Sequence, residues 1–334
     1  MRRIQQAGKR LFAVTAIVSL CLANASAAFG SSLPVAYAAI SGSHAALWVA
    51  KEAGYFDKQG NTADLIYLGG GQATKVLISG SAPFISISGS APITAAVQGA
   101  DVTMLSCVLN TFIFSLMSRP DIDKPEMLRG KKVGVSRFGA ATDFALRYAI
   151  RKWNLEAGKD LTVLQIGGVP EILAAIQAGT IDAGVLAQPT TLQAKKAGLR
   201  ELVDLGNIGI EYPGSCIVTT KKYVRENRPV AKDFLRAYLE GARRTLSDKA
   251  FAGRVLAKYT RVANPEVIEA TYQDFARYVQ PIPRPTPAGV KLVLDQLVKS
   301  EPKAGSFSPD AMIDTSILQE LQSEPNLLPL RKAQ

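Results

Sequence analysis

Histidine occurs once in the 334 residues, as His44. A Ser-His-Asp triad needs a histidine base, and zinc sites of histidine or cysteine type need several ligands, so both are nearly excluded by count. Cysteine is almost as scarce. Of three, Cys21 lies in an N-terminal leader, which leaves Cys107 and Cys216 to the mature chain. Both fall in strand-like runs. They could pair in an oxidising compartment if their strands are neighbours, but two buried free thiols are the expectation. No second apolar run of membrane-spanning length follows the leader, so the mature protein is expected to be soluble. Clustered Lys and Arg interleaved with aromatics are also missing, which argues against a nucleic-acid partner. Neither a metal nor a cofactor is expected.

The leader itself is legible. Arg2, Arg3, Lys9 and Arg10 precede an apolar run from Leu11 to Ala23, and Ala25-Ser26-Ala27 supplies the small-x-small pattern of a signal-peptidase site. Residues 1–27 are therefore read as a secretory signal of the Sec type, cut near Ala27. About 13 apolar residues are too few to span a bilayer comfortably. Leu20 precedes Cys21 where a lipoprotein signal wants a small residue, and Arg2-Arg3 lacks a twin-arginine context. Removing the four leader charges takes the formal +11 to +7. The remaining basic residues are interspersed with acids and read as a solvated surface, mildly attractive to anions.

What the mature chain has in quantity is alternation of strand and helix patterns with glycine between them. Phe84 to Gly99 is the clearest unit. Phe84 to Ile87 is a short buried strand, Ser88-Gly89-Ser90 has turn and N-cap chemistry, and Pro92 suits a first helical turn. Such a turn offers hydroxyls and unpaired backbone N–H groups to an anionic or polar ligand. The unit recurs. Gly69 and Gly168, Gly80 and Gly179, Gly99 and Gly198 share one spacing of 99 residues, and the order of elements around them repeats.

This pattern predicts an α/β protein of two lobes, each a largely parallel sheet flanked by helices, with the ligand cleft between them. Ligands of such sheets lie at the carboxyl ends of the strands. The texture change at Arg119 to Pro125 marks a lobe boundary. Lobe 1 is assigned to residues 33–114 plus 217–334, being completed by a returning strand Ser215 to Thr219 and a helical tail. Lobe 2 is assigned to 118–213, with hinge strands near 112–118 and 213–219.

Three segments carry a family resemblance: Leu47-Trp48-Val49-Ala50-Lys51-Glu52-Ala53-Gly54-Tyr55-Phe56, Arg129-Gly130-Lys131-Lys132-Val133-Gly134-Val135-Ser136-Arg137-Phe138-Gly139, and Ala178-Gly179-Thr180-Ile181-Asp182-Ala183. In order and spacing the chain resembles the periplasmic solute-binding proteins of ABC transporters of the nitrate, taurine and alkanesulfonate kind, the NMT1/SsuA-like family, over nearly its whole mature length. The resemblance implies a type II periplasmic-binding-protein-like fold and a monomer in the periplasm. It implies closure of the lobes around a small-molecule ligand and docking on an ABC permease with its ATPase subunit. Two departures bear on the ligand. Pro83 stands where a polar residue is often found, while the second copy keeps Asp182. Ala140 and Ala141 follow Gly139 where relatives often carry a hydroxyl, so backbone donors survive and a side-chain donor is lost.

The expected solute is small and polar or anionic: sulfonate-, carboxylate- or nitrate-like. The candidate ligand-binding residues are Ser41, Gly42, Ser43, His44, Gly70, Gly71, Ser88, Gly89 and Ser90 from the first half, and Arg137, Phe138, Gly139, Ala140, Gly168, Gln188 and Tyr212 from the second. Arg137 is the candidate countercharge, because a guanidinium clamps carboxylate or sulfonate bidentately. Its plain alternative is a surface charge, as that of His44 is a capping or surface residue and that of Phe138 and Tyr212 is core aromatic packing. Other functions weighed are a ligand sensor reporting to a receptor, a pyrimidine-synthase-like enzyme, and a hydrolase using His44 beside Ser41 or Ser43. No Gly-x-Ser-x-Gly elbow supports the last.

Overall fold

The computed structural model describes residues 31–69 and 71–331. The expected leader and Gly70 lie outside these. The first half runs β1 (Ser31–Tyr37), α1 (Ala45–Glu52), α2 (Tyr55–Lys58), β2 (Asn61–Tyr67), α3 (Gly71–Ile78), β3 (Phe84–Ile87), α4 (Ser90–Val97) and β4 (Thr103–Leu109). The second half runs β5 (Ser115–Ser118), β6 (Lys132–Val135), α5 (Ala141–Lys152), β7 (Thr162–Gln165), α6 (Val169–Gln177), β8 (Ala183–Leu186), α7 (Thr190–Lys196) and β9 (Arg200–Asp204). Then β10 (Ser215–Thr219) leads to a helical tail of α8 (Lys221–Glu226), α9 (Arg228–Ser247), α10 (Lys249–Thr260), α11 (Pro265–Tyr278), α12 (Pro287–Leu297) and α13 (Ser316–Gln322).

Two five-stranded sheets result, in the orders β2-β1-β3-β10-β4 and β7-β6-β8-β5-β9. Four strands of each run in one direction, and the fifth, β10 in the first sheet and β5 in the second, is antiparallel to both its neighbours. The chain passes between the sheets twice, at 110–114 and 205–214. Each passage delivers one strand, so β10 completes the first sheet and β5 the second.

The duplication holds in three dimensions. Strands β3 and β8 lie 99 positions apart residue for residue. Gly80 and Gly179 end α3 and α6 at φ +77° and +71°, and Gly99 and Gly198 follow α4 and α7 at +97° and +83°. Each pair is glycine because the chain must turn through the left-handed region there, where a Cβ costs energy.

Beneath the first sheet the tail packs as the amphipathic pattern of α9 demands. Phe234 stacks on Phe84 at 4.0 Å, within a cluster that also holds Trp48, Tyr238, Val255, Phe275 and Ile317. Gly241 lets α9 approach α1 until a Cβ there would lie 2.4 Å from the Ala46 carbonyl. The outer edge of β4 is covered by the extended segment 281–285. The Pro283 carbonyl accepts bonds from the Cys107 N–H and the Ser106 hydroxyl, and the Arg284 carbonyl accepts from Asn110 Nδ2. An edge closed in this way is not free to pair with another chain.

Three expectations are corrected. Cys107 and Cys216 are not free thiols; they sit opposite one another on β4 and β10 and form a disulfide across 109 positions. Strand β9 was not read from the sequence, since Arg200 to Asp204 carries charge at both ends of a short apolar pair. The first hinge segment is extended only at Ser115–Ser118, the residues before it being irregular.

Candidate functional site

The strand-to-helix turns of both halves meet in a cavity of about 140 Å3 between the sheets. That is the scale of an engineered cavity that admits benzene. Its walls are mostly apolar: Ile40, Ile87, Ala91 and Ile113 on one side, Ala140, Ala141 and Val169 on the other. Set into them are the N-terminal turns of α4, α5 and α6. The first N–H groups of a helix have no partner within it, and the helix dipole makes that end attractive to negative charge. Three such ends aimed into one small cavity favour an anionic group.

Hydroxyls reinforce this on the first lobe. Ser41 caps the short turn at Gly42–His44, accepting the Ser43 N–H at 3.4 Å, and the Ser43 carbonyl accepts from Ser215 Oγ at 2.8 Å. Ser90 is 2% exposed, and its hydroxyl has no hydrogen-bond partner. Helix α4 starts at Ser90 without any side-chain cap, so that hydroxyl is not spent on the helix. The buried Tyr212 hydroxyl is nearby: its pKa is raised by burial and drawn back by Ser88 and Ser90, yet it closes no hydrogen bond of normal geometry.

His44 is buried and lines the cavity, with no capping bond and no place at the surface. Its Nδ1 lies 2.8 Å from Ser86 Oγ, and Tyr37 packs edge-on to its ring at 5.7 Å. Burial pushes its pKa down to about 3, so the ring is neutral at physiological pH and provides direction rather than charge.

The loop bearing Arg137 is held at four points. Thr142 Oγ1 accepts the Ser136 N–H, Gln165 Oε1 the Phe138 N–H, Asp143 Oδ2 the Gly139 N–H, and the Arg137 carbonyl the Ala140 N–H. The guanidinium is left exposed with no ion pair among the described residues. It reaches across to the first lobe, 3.5 Å from where a Cβ on Gly69 would lie. A glycine there leaves room for the arginine.

Of the candidates from sequence, Ser41, Ser43, His44, Ser88, Ser90, Arg137, Ala140 and Gly168 line the cavity. Others do not, each for a physical reason. Tyr212 is fully buried in the core, its ring 4.2 Å from Phe112 and 5.6 Å from Phe144. Phe138 is 54% exposed and faces outward from the loop. Gln188 is occupied structurally: its carbonyl accepts the Gly42 N–H at 3.3 Å, tying the lobes together, and its Oε1 accepts the Leu192 N–H. Gly42 packs against Thr271, and Gly89 against Pro213, whose carbonyl takes its N–H at 2.7 Å. Gly139 forms a left-handed turn, and Gly71 opens α3 at the surface. The Gly69 turn was read as facing the cleft, but Tyr67, Thr142 and Glu171 were missed altogether. Only Glu171 had a local signal, an acid in the first turn of a helix on the repeat of the Gly69 to Gly71 turn.

The fold and cleft together define a class, the periplasmic-binding-protein fold, with two α/β lobes around an interlobe site. The chain belongs to the NMT1/THI5-like family, whose model matches residues 41–250. It is similar to YtlA of Bacillus subtilis (strain 168), named as a binding protein, with 24% identity over 203 residues; the match covers 58% of this chain and 60% of YtlA. The periplasmic nitrate-binding protein NrtA from Synechocystis PCC 6803 superposes with a TM-score of 0.74 at 16% identity, covering 90% of this chain and 91% of that one. The alkanesulfonate-binding protein SsuA from Xanthomonas axonopodis pv. citri, bound to MOPS, superposes with a TM-score of 0.70 at 17% identity, covering 87% and 97%. No helix among the described residues is long and apolar enough to cross a membrane.

Proposed function

We propose that this chain is the extracytoplasmic solute-binding component of an ABC importer. It captures a small anionic organic solute by lobe closure, as a monomer in the periplasm, and delivers it to a membrane permease coupled to an ATPase. The observation that carries this reading is the convergence of three helix N-termini and an unpaired Arg137 on one cavity with otherwise apolar walls. The N-termini and the guanidinium suit a sulfonate or carboxylate, and the apolar walls suit the organic part. A bare inorganic anion such as nitrate would leave those walls unused. The lobes, 33–114 with 217–334 and 118–213, close about the two passages between the sheets.

An enzymatic reading loses its base. The Nδ1 of the one histidine is engaged with Ser86 Oγ, not with Ser41 or Ser43, and its pKa near 3 leaves it a poor proton acceptor at neutral pH. The names of YtlA, NrtA and SsuA, all binding proteins, support the same reading.

Thermal-shift screening with sulfonates, carboxylates, nitrate and pyrimidines tests it. A compound present at 100 times its Kd stabilises the folded protein by about 2.7 kcal/mol. At least one organic anion is expected to do so, and Arg137→Ala to weaken it at least tenfold. Turnover of any compound, or no stabilisation by any, refutes the reading.

A further inference from the structure

Arg137 and Glu171 are the only formally charged side chains that line the cavity among the described residues, one of each sign. Neither is spent elsewhere. Arg137 and Glu171 make no ion pair with each other within 4 Å, and their side chains take no other ion-pair or hydrogen-bond partner among the described residues. Glu171 is the third residue of α6, where a glutamate can reach back to the N-cap N–H of Gly168 and serve only the helix. That bond is not formed, although the carboxylate lies close over Gly168: a Cβ there would stand 2.5 Å from Oε2. Tyr67 of the first lobe lines the same cavity. Tyr67 has its pKa raised first by burial and then by Glu171, while Arg137 draws it down. One phenol of the first lobe therefore feels both charges of the second.

We propose that this pair selects a dipolar ligand, whose anionic group is held by Arg137 and the helix N-termini and whose protonated nitrogen is held by Glu171, with Tyr67 beside it. The assignment rests on the capture function above and narrows its ligand class from anions in general to amino-bearing anions. Once the cleft has closed and expelled water, a purely anionic ligand would meet Glu171 as an unpaired like charge. A dipolar ligand neutralises both side chains on closure, and neither charge is then buried alone.

The sign of one substitution separates the two cases. Isothermal titration calorimetry is run on the full mature chain with matched pairs: propionate and β-alanine, butyrate and 4-aminobutyrate, hexanoate and 6-aminohexanoate, and the corresponding alkane- and aminoalkanesulfonates. In at least one pair the amino compound is expected to bind at least tenfold more tightly than its plain acid. Glu171→Gln should erase that preference, weakening the amino compound tenfold or more while leaving the plain acid unchanged or tighter. Glu171→Asp should restore part of it, and Arg137→Gln should weaken both members. Glu171 is exposed, so the variants are expected to fold, and unchanged melting of the ligand-free protein checks this. Plain acids that outbind their amino partners throughout, or a Glu171→Gln protein that keeps the preference, overturn the proposal and leave anion capture standing. Binding by none of the set also overturns it, while the capture reading is then decided by its own broader screen.

Discussion

The disulfide between Cys107 and Cys216 gives the sharpest stability prediction. The cross-link joins residues 109 positions apart, so the loop it closes contains β5 through β9, the whole of the second sheet. In the unfolded chain this closure removes conformational freedom. For a loop of about 100 residues the chain-entropy model gives about 4.7 kcal/mol, and measured values for native disulfides cluster at about 2–5 kcal/mol. Both cysteines are fully buried on adjacent strands of the first sheet, so reduction leaves the packed sulfurs in place and acts mainly on the unfolded ensemble. Urea unfolding of oxidised protein is compared with unfolding in excess reductant, after the bond has been opened in denaturant. The expected loss is about 4 kcal/mol, a large share of a typical stability of about 5–15 kcal/mol. The m-value should rise, because an unlinked unfolded chain exposes more surface. Alkylation of denatured, unreduced mature protein should label neither cysteine. A loss under about 1 kcal/mol with an unchanged m-value, or two labelled thiols, refutes the reasoning.

Further outcomes concern charge and helix packing. Asp274, on α11, is pushed up to about 7 by burial and then by Asp204 and Glu201 of the second half, against the pull of Arg277. Its raised pKa means the folded protein holds this proton more tightly than the unfolded chain, so the group costs nothing below about pH 4 and its cost grows as pH rises toward 7. Asp274→Asn should thus gain stability over the parent through that window, by about 2–4 kcal/mol at pH 7.5, and a gain independent of pH in urea melts would exclude this assignment. Gly241→Ala forces a Cβ against the Ala46 carbonyl and should cost about 1–3 kcal/mol, whereas Gly253→Ala, with nothing nearer than 3.6 Å, should be neutral or stabilising by up to about 1 kcal/mol. Equal melting temperatures for those two variants would contradict the close approach of α9 to α1. Arg137→Ala and Glu171→Gln, read by calorimetry, complete the set.

The unit at Phe84 to Gly99 shows how far a local pattern reaches. Apolar β-branched residues, a Ser-Gly-Ser turn and a helix closed by Gly99 are short-range chemistry, and strand Phe84–Ile87 forms where that chemistry places it. The 99-residue spacing likewise survives into the left-handed glycines after α3, α4, α6 and α7, because each position answers to its own backbone angle. The Ser41, Ser88 and Ser90 turns and Arg137 were legible for the same reason. They are strand-to-helix turns, and alternating sheets place such turns at the cleft.

The remainder depended on which distant segments meet. Cys107 and Cys216 pair because β10 enters the first sheet between β3 and β4, a consequence of the exchange of strands between lobes that no local signal encodes. Tyr212 joined Phe112 and Phe144 in the core instead of the cleft because the two passages between the sheets run side by side there, the Tyr212 N–H donating to the Asn110 carbonyl. Glu171 was not singled out in the sequence, and only the fold brings it to the same cavity as Arg137 and Tyr67. The order of residues along the chain determined the elements, the duplicated architecture and the anion-attracting turns, since these follow from backbone angles and side-chain periodicity. Tertiary structure alone decided the disulfide and the meeting of Arg137 and Glu171 at one cavity, because each joins residues far apart in sequence that only the assembly of the sheets brings together.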